Sequence, residues 1–410
     1  MEVNLIMTET TMSCYKLSPE YSLMLSLALR EDLPSIPETI DWQEFDTLVT
    51  KNRIEPLVAE GLKKLPSEMI DGNDVLKKLL SSQNQYTLFS MRQVQTLAFL
   101  IKSLSDGGVR ALSLKGPILA MELYGNPALR YSRDLDILVS ENDLESACRI
   151  LESLGYTEEI TVRNKTPLRR KKLEKNGEEM HRVYTKNDIC IELHWRLSFR
   201  IDESFDKLWK NSRATVLLGQ EVHYLGERDN ISYLICHAAG HGYHRLRWLL
   251  DIYELEKNAD VFFAEVYQYM NGQNAGALIL ETVLVLYLMP NFPMPKCRNN
   301  FYGIQRENNA VTVTYEDRIG KDFNRAKKLA KAVYPILINN TAENGIAGRK
   351  YNYLLPTLGR KKTLFRSIAA VFEPSKADLE LIDLPDSLFF LYYIIRPFHK
   401  IWRMIPFSRK

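Results

Sequence analysis

The sequence predicts an α+β fold, with a small mixed β-sheet core embedded in helical N- and C-terminal regions. Three observations carry that expectation. Leu48, Ile54, Leu57, Val58 and Leu62 recur at helical spacing, the mark of an amphipathic helix. After Asp106-Gly107-Gly108 the rhythm changes to short alternating apolar runs, which read as strands. Helical periodicity returns from about Asn230 to about Leu288.

The first element, residues 1–17, reads as a flexible tail. Residues 18–105 form an N-terminal helical region, interrupted at Pro56 and ending in a long helix over about 75–104. Residues 106–228 are the α/β core. Within it, 109–114 (VRALSL) reads as a strand, Lys115-Gly116 as a turn, and Pro117 as the first turn of a helix running to Tyr124. The clearest strand is 133–139 (RDLDILV). Ser140 then reads as an N-cap with Asp143 as its capping-box acid. Leu144, Ala147, Cys148, Leu151 and Leu154 share one face of the next helix, which Gly155 ends. Two strands follow a basic segment, at 181–185 and 189–195.

Residues 229–290 read as helices packing on the core, and 291–410 as a C-terminal region. A proline-rich link, MPNFPMPK, opens that region. Residues 298–345 are polar and poorly patterned, a short helix is expected near 363–372, and an aromatic and basic helix ends the chain.

Composition narrows the function. The chain has 410 residues, 45% hydrophobic and 26% charged, with a net charge of only +3. That is a globular balance with no bulk electrostatic attraction for nucleic acid. Cys14, Cys148, Cys190, Cys236 and Cys297 are too dispersed for a zinc knuckle or redox pair. They read as free thiols in a reducing cytoplasm. The first residues lack the basic start and apolar run of a secretory signal, and no apolar stretch is long enough to span a bilayer.

The chemistry concentrates in Asp134-Leu135-Asp136. Side chains alternate along a strand, so Leu135, Ile137 and Val139 point into a core while both aspartates point the other way. Two carboxylates on one face repel unless a positive charge sits between them. A hard divalent cation such as Mg2+ (or Mn2+) suits that position. In Cys190-Ile191-Glu192-Leu193-His194-Trp195 the same alternation puts Glu192 and His194 on an exposed face. A neighbouring strand sets Glu192 beside the pair, and three carboxylates can hold two metals about 3.5–4 Å apart.

These residues resemble the polymerase-β-like nucleotidyltransferase superfamily. Its pattern of glycine turn, helix, hydrophobic-Asp-hydrophobic-Asp and later acidic strand is matched by Leu114-Lys115-Gly116-Pro117, the helix through Tyr124, Asp134 to Ile137, and Glu192. Within it, the sequence more closely resembles a bacterial "uncharacterised nucleotidyltransferase" branch. The likeness rests on Lys115-Gly116, Tyr124-Gly125, Arg130, the run Arg133 to Val139, Gly155-Tyr156 and Glu192-Leu193-His194-Trp195. It extends to the stretch from His237 through Ile252 and to Tyr392-Tyr393-Ile394-Ile395-Arg396-Pro397. One departure is Gly116-Pro117, where the superfamily has glycine-serine.

The resemblance implies a nucleotidyltransferase core with Asp134, Asp136 and Glu192 as catalytic metal ligands and a nucleoside triphosphate as donor. The acceptor is an unknown small molecule or protein. Lys115, Gly116, Arg130 and Arg133 are expected to bind the nucleotide. His194, His237, His241 and Arg245 are accessory candidates. His237 and His241 share a helix face without a third metal ligand in sequence, so packing is the expected role. Asp251 is expected to pair with Arg245 or Arg247. The basic run 163–175 lacks interleaved aromatics and reads as a solvated loop rather than an RNA surface. The C-terminal aromatic and basic segment suits either peripheral membrane contact or packing against the N-terminal helices. The competing reading of the whole chain is a non-catalytic member of the same fold that binds a nucleotide or a partner.

Overall fold

A computed structural model describes residues 7–30, 36–37, 39–161, 165–176, 179–198, 200–258, 263–290, 292–293, 302–338 and 372–404. Its strands are β1 (Met7–Ser13), β2 (Ala111–Ser113), β3 (Asp134–Val139), β4 (Thr157–Glu158), β5 (His181–Lys186), β6 (Ile189–His194), β7 (Arg213–Leu217), β8 (Gln220–Tyr224), β9 (Tyr302–Glu307) and β10 (Ala310–Glu316). Among the described residues, seven of them make one mixed sheet in the order β4-β5-β6-β3-β2-β8-β7. The β3–β6 and β2–β8 pairs run parallel and the others antiparallel. This is the expected mixed sheet, enlarged by β4 and by the β7–β8 hairpin. That hairpin turns at Leu218-Gly219, both with positive φ, as a tight two-residue hairpin turn requires.

One face of the sheet is dry. Leu135, Ile137 and Val139 of β3 join Ile191 and Leu193 of β6 and Tyr184 of β5 in a single core. Helix Leu144–Ser153 and the second half of helix Asp74–Asp106 cover it, through Ala147, Leu151, Leu97, Leu100 and Leu104. The long helix starts where the Asn73 side chain accepts from the amides of Val75 and Leu76, and it stops at Gly107. The Ser140 hydroxyl donates to the Asp143 carboxylate and accepts from the Asp143 amide, but Ser140 is not the expected N-cap: the helix begins only at Leu144, with Asp143 at its N-cap.

The opposite face meets the helical half of the chain. Leu112 and Leu138 point into a larger core with helices Glu227–Gly240, Leu246–Asn258 and Gly276–Leu288. Helix Gly276–Leu288 is buried along its whole length, which explains why its sequence is apolar on every side apart from Glu281 and Thr282.

Two expectations change. Residues 7–13, expected in a flexible tail, form β1 and pair with β10 from Met7↔Glu316 to Ser13↔Ala310. The region 302–338, expected to be unpatterned, holds β9, β10 and helix Gly320–Ile338. The alternation Val311, Val313, Tyr315 is readable, but its polar partners on the other face mask it until β1 supplies a neighbour. The basic run 163–175 is also corrected. It contains helix Pro167–Asn176, not a loop. Arg169 is buried there, bonding Asp383 and the Leu384 carbonyl, and Arg170 pairs with Glu158.

The C-terminal helix Leu391–Met404 packs on that basic helix rather than on the N-terminal helices, through Leu173, Leu379, Phe389 and Tyr392. Phe390, Ile394, Phe398 and Trp402 lie exposed at four-residue spacing on its other side. The helix expected near 363–372 lies outside the described residues except for Phe372, as does half of the proline-rich link.

One buried ion pair ties the helical half to the sheet. The Arg130 guanidinium donates to both oxygens of Asp251 at 3.0 Å, and Tyr124 donates to the same carboxylate at 3.2 Å. Both charged side chains are 1% exposed. Asp251 therefore pairs with Arg130, not with Arg245 or Arg247 as expected, because helix Leu246–Asn258 lies across the turn that leads into β3. Removing one partner leaves a buried charge alone. Arg130→Met should cost about 3–5 kcal/mol. The double variant Arg130→Met/Asp251→Leu should recover a good part of that loss in urea unfolding, and no recovery would show that the pair is not what joins the two halves.

Candidate functional site

The acidic pocket is built by strand register. Asp136 on β3 lies directly opposite Glu192 on β6, Asp134 opposite Cys190, and Leu138 opposite His194. On the far side of β6, His181 of β5 lies opposite His194, and Val183 opposite Glu192. Side chains in register share a face. One face of three adjacent strands thus carries Asp134, Asp136, Glu192, His194 and His181, and Leu135, Ile137, Ile191 and Leu193 anchor the other.

The pocket is not the exposed face that alternation alone implies. Asp136 is 2% exposed and His194 is 7% exposed. Their charges are met internally. The Lys115 ammonium lies 3.0 Å from Asp136 Oδ1. His194 Nε2 lies 3.2 Å from the same oxygen and 3.3 Å from Glu192 Oε2. Lys115 also lies under the Tyr233 ring of helix Glu227–Gly240, 5.6 Å from its centroid, a cation–π contact. Asp134 sits higher and more open, accepting a hydrogen bond from the Ser132 hydroxyl at 2.9 Å.

These contacts set the ionisation. Burial alone would raise the Asp136 pKa, but the Lys115 charge and the His194 hydrogen bond outweigh it and hold the carboxyl below its usual range. Glu192 follows the same logic: burial is overcome by His194 and His181, and its pKa falls to about 2. For His194, burial opposes the charge while Asp136 and Glu192 favour it, and the net shift is upward. His181 moves the other way, down to about 4, because burial and the neighbouring His194 both disfavour its cation. Asp136 Oδ2 and His194 Nδ1 are buried without hydrogen-bond partners among the described residues.

The Lys115-Gly116 turn lies against this pocket. Gly116 has φ +63°, and a Cβ there would stand 3.9 Å from the Asp134 carbonyl oxygen. Its positive φ explains the glycine, and it lets helix Gly116–Tyr124 start beside β3.

A group of arginines borders Asp134. Burial and the nearby Arg133 lower the Arg53 pKa. Burial and Arg130 bring Arg247 down to about 10. Arg247 is 7% exposed and donates to the Tyr131 carbonyl, and its Nε lacks a partner among the described residues. Arg133 is exposed. The segment that carries it is braced by the long helix: Gln93 donates to the Ser132 carbonyl at 2.8 Å, and Tyr86 and Phe89 pack on Tyr131.

The structure thus brings together Asp134, Asp136, Glu192, His194 and Lys115, with Gly116 and Arg133 beside them. Arg130 is engaged by Asp251 instead. His241 stacks on Trp248 at 5.2 Å and His237 meets the same indole at 5.5 Å, and burial and the nearby Lys115 charge hold the His237 pKa well below its usual value. Arg245 lies over that indole too, at 5.4 Å. Sequence reasoning missed His181, Arg53 and Arg247. His181 was recoverable, since it opens a strand already recognised. The two arginines come from distant helices, and no local pattern announces them.

Comparisons with known proteins bear on this pocket. The family model described as "Uncharacterised nucleotidyltransferase" matches residues 38–286. A search of curated proteins finds no match. Among solved structures, the solution structure of the antibiotic-resistance factor ANT(2'')-Ia is similar at 10% identity and a TM-score of 0.34, covering 45% of this chain and 91% of that one. The family match takes in every strand and helix that shapes the acidic pocket, and the chain belongs to the uncharacterised nucleotidyltransferase family.

Proposed function

We propose that the protein is a metal-dependent nucleotidyltransferase that moves a nucleoside monophosphate from a nucleoside triphosphate to a small-molecule or protein acceptor. The single observation that carries the reading is the in-register pairing of Asp136 with Glu192, two residues from Asp134 on the same face.

The donor set fits a divalent cation. Asp134, Asp136 and Glu192 share one face of β3 and β6, and Asp136 Oδ2 is buried with no partner among the described residues. Asp134, Asp136 and Glu192 would hold Mg2+ or Mn2+. When bound, the cation neutralises charge on the phosphate oxygens.

The chain's own residues divide the remaining work. Arg53, Arg133 and Arg247 supply positive charge for the triphosphate, with the N-terminus of helix Gly116–Tyr124 beside them. Lys115 neutralises Asp136. Glu192, with its pKa near 2, is a poor proton acceptor at neutral pH, so its role is to hold charge rather than to act as general base. In the transfer, the acceptor oxygen or nitrogen bonds to the α-phosphorus while the bond to the bridging oxygen breaks. Pyrophosphate leaves with that electron pair, and the acceptor proton passes to solvent.

One observation favours the non-catalytic alternative: the Lys115 ammonium already pairs with the carboxylate the cation would use. Calorimetry with each triphosphate and Mg2+, paired with a pyrophosphate-release assay, separates the two. Binding without release supports the alternative.

No described helix is long and apolar enough to cross a membrane. The exposed stripe of Phe390, Ile394, Phe398 and Trp402 supports peripheral membrane contact. Co-sedimentation with anionic vesicles is expected, and a Phe398→Ser/Trp402→Ser variant should lose it. Equal sedimentation of that variant removes the membrane role.

Asp134→Asn should lower pyrophosphate release by roughly a hundredfold or more, as expected for a lost metal ligand, with the urea midpoint little changed. Unchanged turnover would falsify the assignment. Arg53→Ala and Arg133→Ala should each weaken triphosphate binding about tenfold, the size of a lost charge-assisted contact. Nucleoside monophosphate binding should barely move, and an equal loss for both ligands would place the arginines elsewhere.

A further inference from the structure

We propose that His181, Glu192 and His194 form a site for a divalent transition ion of the zinc class, beside the aspartates of the transfer site. The inference goes beyond the transfer reading, because an ion held there needs no nucleotide.

The geometry comes from two strand pairings. His181 faces His194 across β5 and β6, and Glu192 precedes His194 by two residues on the same face. One ligand atom from each of the three lies within 4.8 Å of the other two. Ligand atoms around a tetrahedral zinc, bonded at about 2.0–2.1 Å, stand roughly 3.3 Å apart. Glu192 and His194 are already separated by 3.3 Å. Only His181, whose ring centroid lies 4.9 Å from that of His194, has to close in.

The donor chemistry separates this cluster from its neighbours. Two imidazoles and one carboxylate match the three-ligand zinc sets that keep a fourth position open. Mg2+ prefers oxygen ligands and keeps its waters, so imidazoles do not suit it. The ligand nitrogen of His194 is the Nε2 that already faces Glu192, and the other ring nitrogen, Nδ1, is buried with no hydrogen-bond partner among the described residues. Both β-strands are held by the sheet, which fixes the ligands more firmly than a loop would. The other histidine-rich group, His237, His241 and His244, is not equivalent, because the Trp248 indole packs against all three rings.

The test uses the full chain, stripped with a chelator and titrated with Co2+ followed by Zn2+. One Co2+ per chain is expected, with a visible absorption band that reports nitrogen in its coordination. Zn2+ at equimolar concentration should displace it, and a large excess of Mg2+ should not. His181→Ala should weaken Zn2+ binding by roughly a hundredfold or more, at or above the upper end for a residue that only supports a ligand. Asp134→Asn should retain it. Circular dichroism checks that the variant is folded, and if it is not, the Mg2+ competition on the unaltered protein decides. Absent Co2+ absorption, or displacement by Mg2+, overturns the proposal. So does binding that survives His181→Ala but fails in Asp134→Asn, an outcome that puts the ion on the aspartates and leaves the transfer reading intact. A site that passes while pyrophosphate release is absent sinks the transfer reading alone.

Discussion

The rest of the structure depends on keeping negative charge inside a sheet. Asp136 is buried, and Glu192 lies directly across from it on the parallel neighbour strand. Two carboxylates so placed repel strongly in a low-dielectric interior. Lys115 and His194 hold them, the first from the turn that opens helix Gly116–Tyr124 and the second from the same strand as Glu192. The pocket therefore needs β2, β3 and β6 in fixed register, and the apolar core beneath them supplies that register. A slip of one residue would turn Leu135 and Ile191 into the pocket and both acids into the core.

Burial of the acids also explains the helical mass around the sheet. Helix Glu227–Gly240 places Tyr233 over Lys115 and so dries the ion pair. Helix Leu246–Asn258 is locked by Asp251 onto Arg130, just ahead of β3, and presents Arg247 to the Tyr131 carbonyl. The long N-terminal helix braces the same segment through Gln93. Two separate parts of the chain thus converge on the few residues between Arg130 and Asp134. Those residues lead directly into β3 and so fix where Asp134 enters the sheet.

Charge is sorted across this pocket. The arginines lie toward Asp134, where the pocket opens, and the imidazoles lie toward the β5 edge. The same face thus carries guanidinium groups beside Asp134 and ring nitrogens beside Glu192. One set of three strands can hold both because neighbouring strands bring different residue types to the same face.

Much of the site was legible along the chain. The alternation in Asp134 to Val139 and in Cys190 to Trp195 determined which side chains share a face, since a strand has a period of two and a buried side must be apolar. Gly116 announced its turn, because only glycine enters positive φ without cost. Helices with strong caps and breakers, such as the one ending at Gly107, were equally plain. Tertiary structure alone decided the pairings between distant segments: β1 with β10, Arg130 with Asp251, and Arg53 with the neighbourhood of Asp134. Those contacts join residues separated by tens to hundreds of positions, and no local period records them. Burial of the acidic face was likewise undetermined by the sequence, because alternation tells which residues lie together but not what covers them.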